Sequence, residues 1–532
     1  MNINADLAAK LKQYVRPDQP FGPPDAAEIK EPECAAALFD WNNQAFAELL
    51  TGSDVLVGRR GSGKSALLGT FRSKRYMRAD LSTDEAKAYR DRFHLNAKTL
   101  LAVPDLIVEA DTPVHMDELE TYCLKRQYIP SVEVLSRLWN LRIWLLVGTT
   151  LARNYPMLWS RAPQSLQAYI ANDDVVMTAL AGTNGHSGTC VMSPGEFIAA
   201  MEEFLRTEGK RCVITFDNME RYKFNDEQNA VLGGLIAATG KMIGTQHPSL
   251  DVKLCLPAEI FEHLKTVIFR ADKDLQRIQY LHWSPVELMH VSATRVKVYF
   301  QLYDPDAYDL VRDLRLSDRA ILRGFWKRYL PERIVNTLGI EEETFTYLLR
   351  HTQLLPRQLL TLLNAVARRF MRDGRILFAT AFEARHIVAG IEDAEDSNAL
   401  AVLTMYKPMY PLVMEVFDLV MPRLKRVFDY GFLQSVYRSS ARASMEQMQK
   451  PDFHSFWRLL LSTGAVGVVE ADAGTDIYET GKFEFNSNYA LRVSDKDQLC
   501  VHPMFSRIYN VDTAALRKVV LPRGSDFGME SN

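Results

Sequence analysis

Eight consecutive residues constrain this chain more than any others: Gly58-Arg59-Arg60-Gly61-Ser62-Gly63-Lys64-Ser65. A short apolar run, Asp54-Val55-Leu56-Val57, leads into them, and a helical pattern runs on from Ala66 to about Arg75. Strand, glycine-rich turn and helix in that order open a βαβ-type unit and point to an α/β fold with a parallel sheet. The octapeptide fits G-x-x-x-x-G-K-[ST] at every position. Glycines let the backbone turn its N–H groups inward, forming an anion nest where a helix starts. A lysine in the place of Lys64 reaches the β- and γ-phosphates of a bound nucleotide, and a hydroxyl in the place of Ser65 sits on Mg²⁺. The expected binding segment for ATP and Mg²⁺ is therefore Gly58, Arg59, Arg60, Gly61, Ser62, Gly63, Lys64, Ser65 and Ala66. Arg59 and Arg60 either add positive potential beside the phosphates or are solvated loop side chains.

A phosphate loop needs a carboxylate for the Mg²⁺ water shell and usually a second to polarise the attacking water. Arg211-Cys212-Val213-Ile214-Thr215-Phe216-Asp217 reads as a core strand ending in an acid, so Asp217 is the expected metal residue. Glu220, three residues on, is the expected catalytic carboxylate, with Lys64 as its cationic counterpart on the loop. The alternative is a helix N-cap at Asp217 with Glu220 as a first-turn acid.

The rest of the 532 residues fills in a layout. A chain this long exceeds one core and implies several domains. Further strands are read at 104–110, 251–257 and 279–283, and a long helix at 128–154. Residues 284–420 read as helices at 287–301, 317–329, 341–350, 356–371 and 381–390, with 392–398 as an exposed acidic linker or loop. From 421 the pattern is helices, then 465–470 and 482–485 as a hairpin, the order of a winged helix. The expected organisation is a lead-in (1–50) and a P-loop NTPase core (51–283) carrying a large helical insertion (about 76–200). A helical lid (284–420), a winged-helix-like α+β domain (421–520) and a disordered tail (521–532) complete it.

Composition removes several classes. Hydrophobic content of 47% and charged content of 24% are those of a globular protein, and a net charge of −3 gives no global pull toward nucleic acid or anionic membrane. The six cysteines, Cys34, Cys123, Cys190, Cys212, Cys255 and Cys500, form no C-x-x-C pair, which fits a reducing compartment. The N-terminus has no basic segment followed by an apolar one, and the most apolar stretch, 138–152, is too short and too polar to span a bilayer. A cytoplasmic protein with no membrane partner is expected. His282, His290 and His502 lack metal-ligand spacing, and Cys500 with His502 reads as a buried neighbour pair.

Asp217-Asn218-Met219-Glu220-Arg221 resembles the D-D-L-D-R form of the second ATPase motif in the KAP and STAND groups of bacterial P-loop ATPases, with Asn218 in place of a second Asp. Phe21-Gly22, the loop at 58–65, Trp283-Ser284, Leu355-Pro356-Arg357-Gln358-Leu359-Leu360 and Val501-His502-Pro503-Met504-Phe505 are similar to stretches of the stand-alone ATPases met near bacterial defence genes. The resemblance implies an ATP-driven switch, with Arg357 reaching the γ-phosphate from the lid. Arg295 and Arg221 are lesser candidates for an inter-subunit contact. It further implies a homo-oligomer or a separate effector protein, and anti-phage defence or signalling as the setting. Leu256-Pro257-Ala258-Glu259 departs from relatives that carry an arginine or polar residue after that strand.

Two rival readings stand beside it. ATPase core, lid and winged helix is also the domain order of origin-recognition AAA+ proteins. Residues 422–450 carry Arg423, Lys425, Arg426, Arg438, Arg442 and Lys450 with interleaved aromatics, a face for duplex phosphates, although a solvated or internally docked face is favoured. The third reading is a scaffold that binds ATP without hydrolysing it.

Overall fold

The computed structural model describes residues 3–39, 48–49, 54–73, 104–126, 129–171, 192–219, 225–245, 249–267, 277–335, 339, 341–470, 480–486 and 491–511. The fold is mixed α/β, with a five-stranded parallel sheet and many helices. The chain divides into two compact units, one of Gln44–Gly58 with Leu67–Leu281 and one of Met1–Asn43, Arg59–Ala66 and His282–Asn532.

The first unit is built on that sheet. Its strands are β1 (Val55–Gly58), β2 (Leu106–Ala110), β3 (Cys212–Phe216), β4 (Leu250–Pro257) and β5 (Ile278–Tyr280), in the order β2-β3-β4-β1-β5. Every pairing is parallel. β1 and β3 are buried at every position, as strands covered on both faces must be, which is why they read as unbroken apolar runs. The order puts β4 between β1 and β3, an arrangement that apolar runs do not reveal. Asp54, immediately before β1, holds Lys253 of β4 in a buried ion pair at 3.1 Å.

The helices of this unit are set by caps and close approach. Ser131 caps the helix Val132–Asn154, and Ser193 with Glu196 forms a capping box on Pro194–Thr207. The helix Val132–Asn154 lies so close to Asp226–Thr245 that a Cβ on Gly234 would stand 2.6 Å from that of Leu135. Trp139 spans the contact, donating its indole N–H to Val231 O at 2.8 Å and meeting Phe216 of β3 edge-on. The apolar stretch at 138–152 is thus a buried core helix, and no helix among the described residues is long and apolar enough to cross a membrane.

The second unit opens with the lead-in. The short helices Ala5–Leu11 and Pro32–Leu38 bracket Phe21, whose ring stacks on Trp326 with centroids 6.4 Å apart. Helices follow at Pro285–Tyr303, Arg319–Tyr329, Thr344–Arg350, Pro356–Arg372 and Ala384–Tyr406. Two expectations fail here. Residues 341–343 are not helical; they form β7 (Glu341–Glu343), which pairs antiparallel with β6 (Arg333–Val335). Residues 392–398 are not a linker but the middle of the helix Ala384–Tyr406, with Glu395 and Asn398 buried. Their acidity misled because Glu395 is received inside the fold, by His351 Nδ1 at 2.6 Å and the Arg507 guanidinium at 3.4 Å. Arg295 is also no surface residue: it is buried in Pro285–Tyr303 and donates to Phe21 O, and burial lowers its pKa to about 10.

The last segment carries a four-stranded antiparallel sheet, β8 (Val427–Asp429), β9 (Val466–Glu470), β10 (Thr480–Lys482) and β11 (Gln498–Val501), in the order β10-β9-β11-β8. Helices Val413–Val420, Tyr430–Val436 and Phe453–Ser462 share its core. Arg426 is buried here, not solvent-facing, so it drops out of the basic face read from the sequence. Its carbonyl accepts from Val501 N of β11.

Candidate functional site

Gly58 closes β1 at the carboxyl edge of the parallel sheet, and the glycine-rich turn leaves from there into the helix Lys64–Gly69. Gly61 and Gly63 adopt φ of +86° and +93°, in the left-handed region that residues with a Cβ rarely enter. Two such turns within three residues are what curls successive N–H groups toward one point. The turn is internally tied: Ser62 N donates to Arg59 O at 3.0 Å, and the Lys64 ammonium donates to the same carbonyl at 3.1 Å. Lys64 is buried, Ser62 is wholly buried with no hydrogen-bond partner for its hydroxyl, and Ser65 is exposed. An orphaned buried hydroxyl, with a lysine and left-handed glycines beside it, is a lining that suits an oxyanion. The residues present therefore fit a nucleotide's phosphates.

Arg357 meets the loop. It is the second residue of the helix Pro356–Arg372, its N–H donates to Gly61 O at 3.4 Å, and its Cβ would stand 3.0 Å from a Cβ on Gly61. Its guanidinium pairs with Asp25 at 2.8 Å. Two neighbours were assigned no part in the site by the sequence reading, where Trp283 entered only as one stretch of the resemblance. Trp283 donates its indole N–H to Ser62 O at 2.7 Å, and its ring lies 3.8 Å from where a Cβ on Gly63 would be. Asp25, the partner of Arg357, had no motif to mark it.

Arg59 behaves unlike a phosphate ligand in this state. Its guanidinium is directed to Gln353 Oε1 at 2.9 Å, to the carbonyl of Ser462 and to the face of Phe485, 5.8 Å from the ring centroid. Arg60 is exposed and Ala66 is half-buried.

Asp217 follows β3, half-buried, at the same carboxyl edge of the sheet as Gly58, with β4 intervening. Two strand spacings set the two chain exits roughly 10 Å apart. Asn218 takes φ +63°, which asparagine tolerates better than most residues. Glu220 and Arg221 lie outside the described residues. Among the described residues no group of three or more His, Cys, Asp and Glu is placed to hold a metal ion.

Comparison with known proteins gives little beyond this. No family model matches the chain, and no curated protein matches it. Among solved structures, the ORC2 protein of Aeropyrum pernix in its ADPNP–ADP complexes is 12% identical, with 88% of this chain and 91% of that one covered and a TM-score of 0.33. Cdc6p of Pyrobaculum aerophilum is 11% identical, with 93% and 96% covered and a TM-score of 0.27. Likeness at this level carries no argument about activity, which leaves the functional reading to the residues themselves.

Proposed function

We propose that the chain is an ATP-binding, ATP-hydrolysing switch of the STAND/KAP-like class of P-loop ATPases. One observation carries the proposal: a complete G-x-x-x-x-G-K-S turn leaves the end of a buried parallel strand with Gly61 and Gly63 both left-handed. In this reading the loop amides and Lys64 bind the β- and γ-phosphates, and Lys64 exchanges the Arg59 carbonyl for phosphate oxygen. The Ser65 hydroxyl and Asp217 would hold Mg²⁺, which when bound neutralises charge on the phosphate oxygens. Glu220 orients and deprotonates water. Arg357, at the N-terminus of its helix, supplies a guanidinium suited to two-point phosphate contact once it leaves Asp25.

Such a site becomes a switch only if ATP binds two conformations with different affinity. The proposed output, following the STAND/KAP resemblance, is bacterial defence or signalling, through self-assembly or a separate effector protein. The deciding experiment is Mg-dependent ATP turnover with parallel binding. Wild type is expected to bind and hydrolyse, Lys64→Ala to lose binding, and Glu220→Gln to bind with turnover lowered at least a hundredfold. A wild type that binds no ATP overturns the reading; binding without turnover in any condition leaves the ATP-bound scaffold.

A second reading, duplex DNA binding, is favoured by the exposure of Arg423, Lys425, Arg438 and Arg442 beside the antiparallel sheet. It predicts affinity that falls steeply with salt and weakens when Arg423 and Lys425 are neutralised. Binding indifferent to both removes that face as the DNA contact.

A further inference from the structure

Arg59 belongs to the phosphate loop by sequence, yet its side chain is committed elsewhere. Nη1 donates to Gln353 Oε1 at 2.9 Å, Nη2 donates to Ser462 O, and Phe485 lies under the guanidinium. Ser462 is the last residue of the helix Phe453–Ser462, and its carbonyl also accepts from Tyr406. Gln353 is itself fixed: its amide donates to Thr463 O at 2.7 Å, and its own N–H donates to Gln358. Gly464, next in line, has φ +69° and leaves no room for a side chain, since a Cβ would stand 2.7 Å from Phe485 and 2.8 Å from Gln353. The end of this helix is therefore a built receptor for one arginine.

All three partners of that arginine are neutral, and among the described residues no carboxylate pairs with it. Another cation of the loop, Lys64, donates to the carbonyl of Arg59 itself. Charge-assisted bonds to phosphate are roughly twice as strong as bonds to neutral acceptors. A triphosphate in the nest would draw Lys64 off the Arg59 carbonyl, loosening the backbone that aims Arg59, and would compete directly for its guanidinium.

We propose that Arg59 is a latch: it is bound either to the end of the helix Phe453–Ser462 or to the nucleotide's phosphates, so that ATP binding releases the C-terminal segment. The proposal rests on the loop binding ATP and adds the route by which occupancy is communicated. Because coupling is reciprocal, weakening the receptor must tighten ATP. That sign separates a latch from a merely structural contact, whose loss leaves affinity equal or worse.

The test is hydrogen exchange of residues 453–464 in the full chain, with and without Mg-ATP, together with the affinity of a fluorescent ATP analogue. Wild type is expected to exchange faster at 453–464 when ATP is bound. Arg59→Ala should exchange fast without ATP, gain nothing from it, and bind it more weakly. Gln353→Ala and the milder Phe485→Leu should keep Arg59 and bind ATP about fivefold tighter or more, within the usual range of coupling. If wild type binds ATP but exchange at 453–464 does not change, or if both receptor variants bind no tighter, the latch is overturned while ATP binding stands. If wild type binds no ATP, the nucleotide reading falls and the latch with it. Exchange in nucleotide-free Arg59→Ala equal to wild type overturns the latch independently of any nucleotide.

Discussion

Gly61 shows how one position answers to two constraints. Its φ of +86° costs a residue with a Cβ about 1–2 kcal/mol, and Arg357 leaves only 3.0 Å for that atom. Gly61→Ala is therefore expected to flatten the turn and push Arg357 away, lowering ATP affinity about tenfold or more. A binding titration checks it, and an affinity equal to wild type would show that the turn does not shape the phosphate site. The roles of Lys64, Gly61 and Gly63 were open to a reader of the sequence, because each follows from backbone freedom and charge at fixed spacing. Asp25 and Trp283 were not, because Asp25 meets Arg357 from more than 300 positions away and Trp283 meets Ser62 from 221, contacts that only the fold makes.

Packing between elements depends on glycines with no catalytic meaning. Gly390, in Ala384–Tyr406, faces the helix Pro356–Arg372 so closely that a Cβ would stand 2.6 Å from the Cα of Val366. Backbone cannot yield as a side-chain tip can, so Gly390→Ala should force the helices apart at a cost of about 1–3 kcal/mol. The expected signature is a lowered melting temperature together with weaker ATP binding, since the same helix carries Arg357. An unchanged melting temperature would mean that the two helices are free to slide. Most helices and the five strands of the parallel sheet could be read from their apolar patterns, while β8 and β11 could not. The hairpin at β6 and β7 could not, since Glu341-Glu342-Glu343 has low strand propensity and is held by pairing with β6 together with Arg350 on Glu342 and Arg333 on Glu341. The acidic run at 392–398 read as a linker because charge normally marks solvent, and only the partners His351 and Arg507 reverse that inference for Glu395.

Stability against acid is a property of the entire fold, and His502 is one identifiable source of it. The imidazole is fully buried between Phe483 and Phe485, and burial, aided by nearby His351, Arg59 and Arg426, pushes its pKa down to about 3. The unfolded chain then binds a proton that the folded one refuses between about pH 6.5 and pH 3. The folded state keeps its full stability above that window and loses it as pH falls. Between pH 7 and pH 5 this one group is expected to cost about 2 kcal/mol. His502→Asn, which retains an acceptor for the Met504 N–H, should lessen the pH dependence of the denaturation midpoint of the C-terminal segment by that amount. An identical pH dependence in the variant would exclude His502 as the source.

Local chemistry was written in the chain itself. The glycine spacing, the lysine after it, the buried strands and the acid at the end of β3 can each be read from residues because they depend on neighbours in sequence. The order of the strands, the inward turn of Arg426 and Arg295, the helix through 392–398 and the docking of Arg59 on Ser462 were decided by tertiary structure alone. They depend on which distant groups meet in a low-dielectric interior, where a charge or polar atom left without a partner costs free energy.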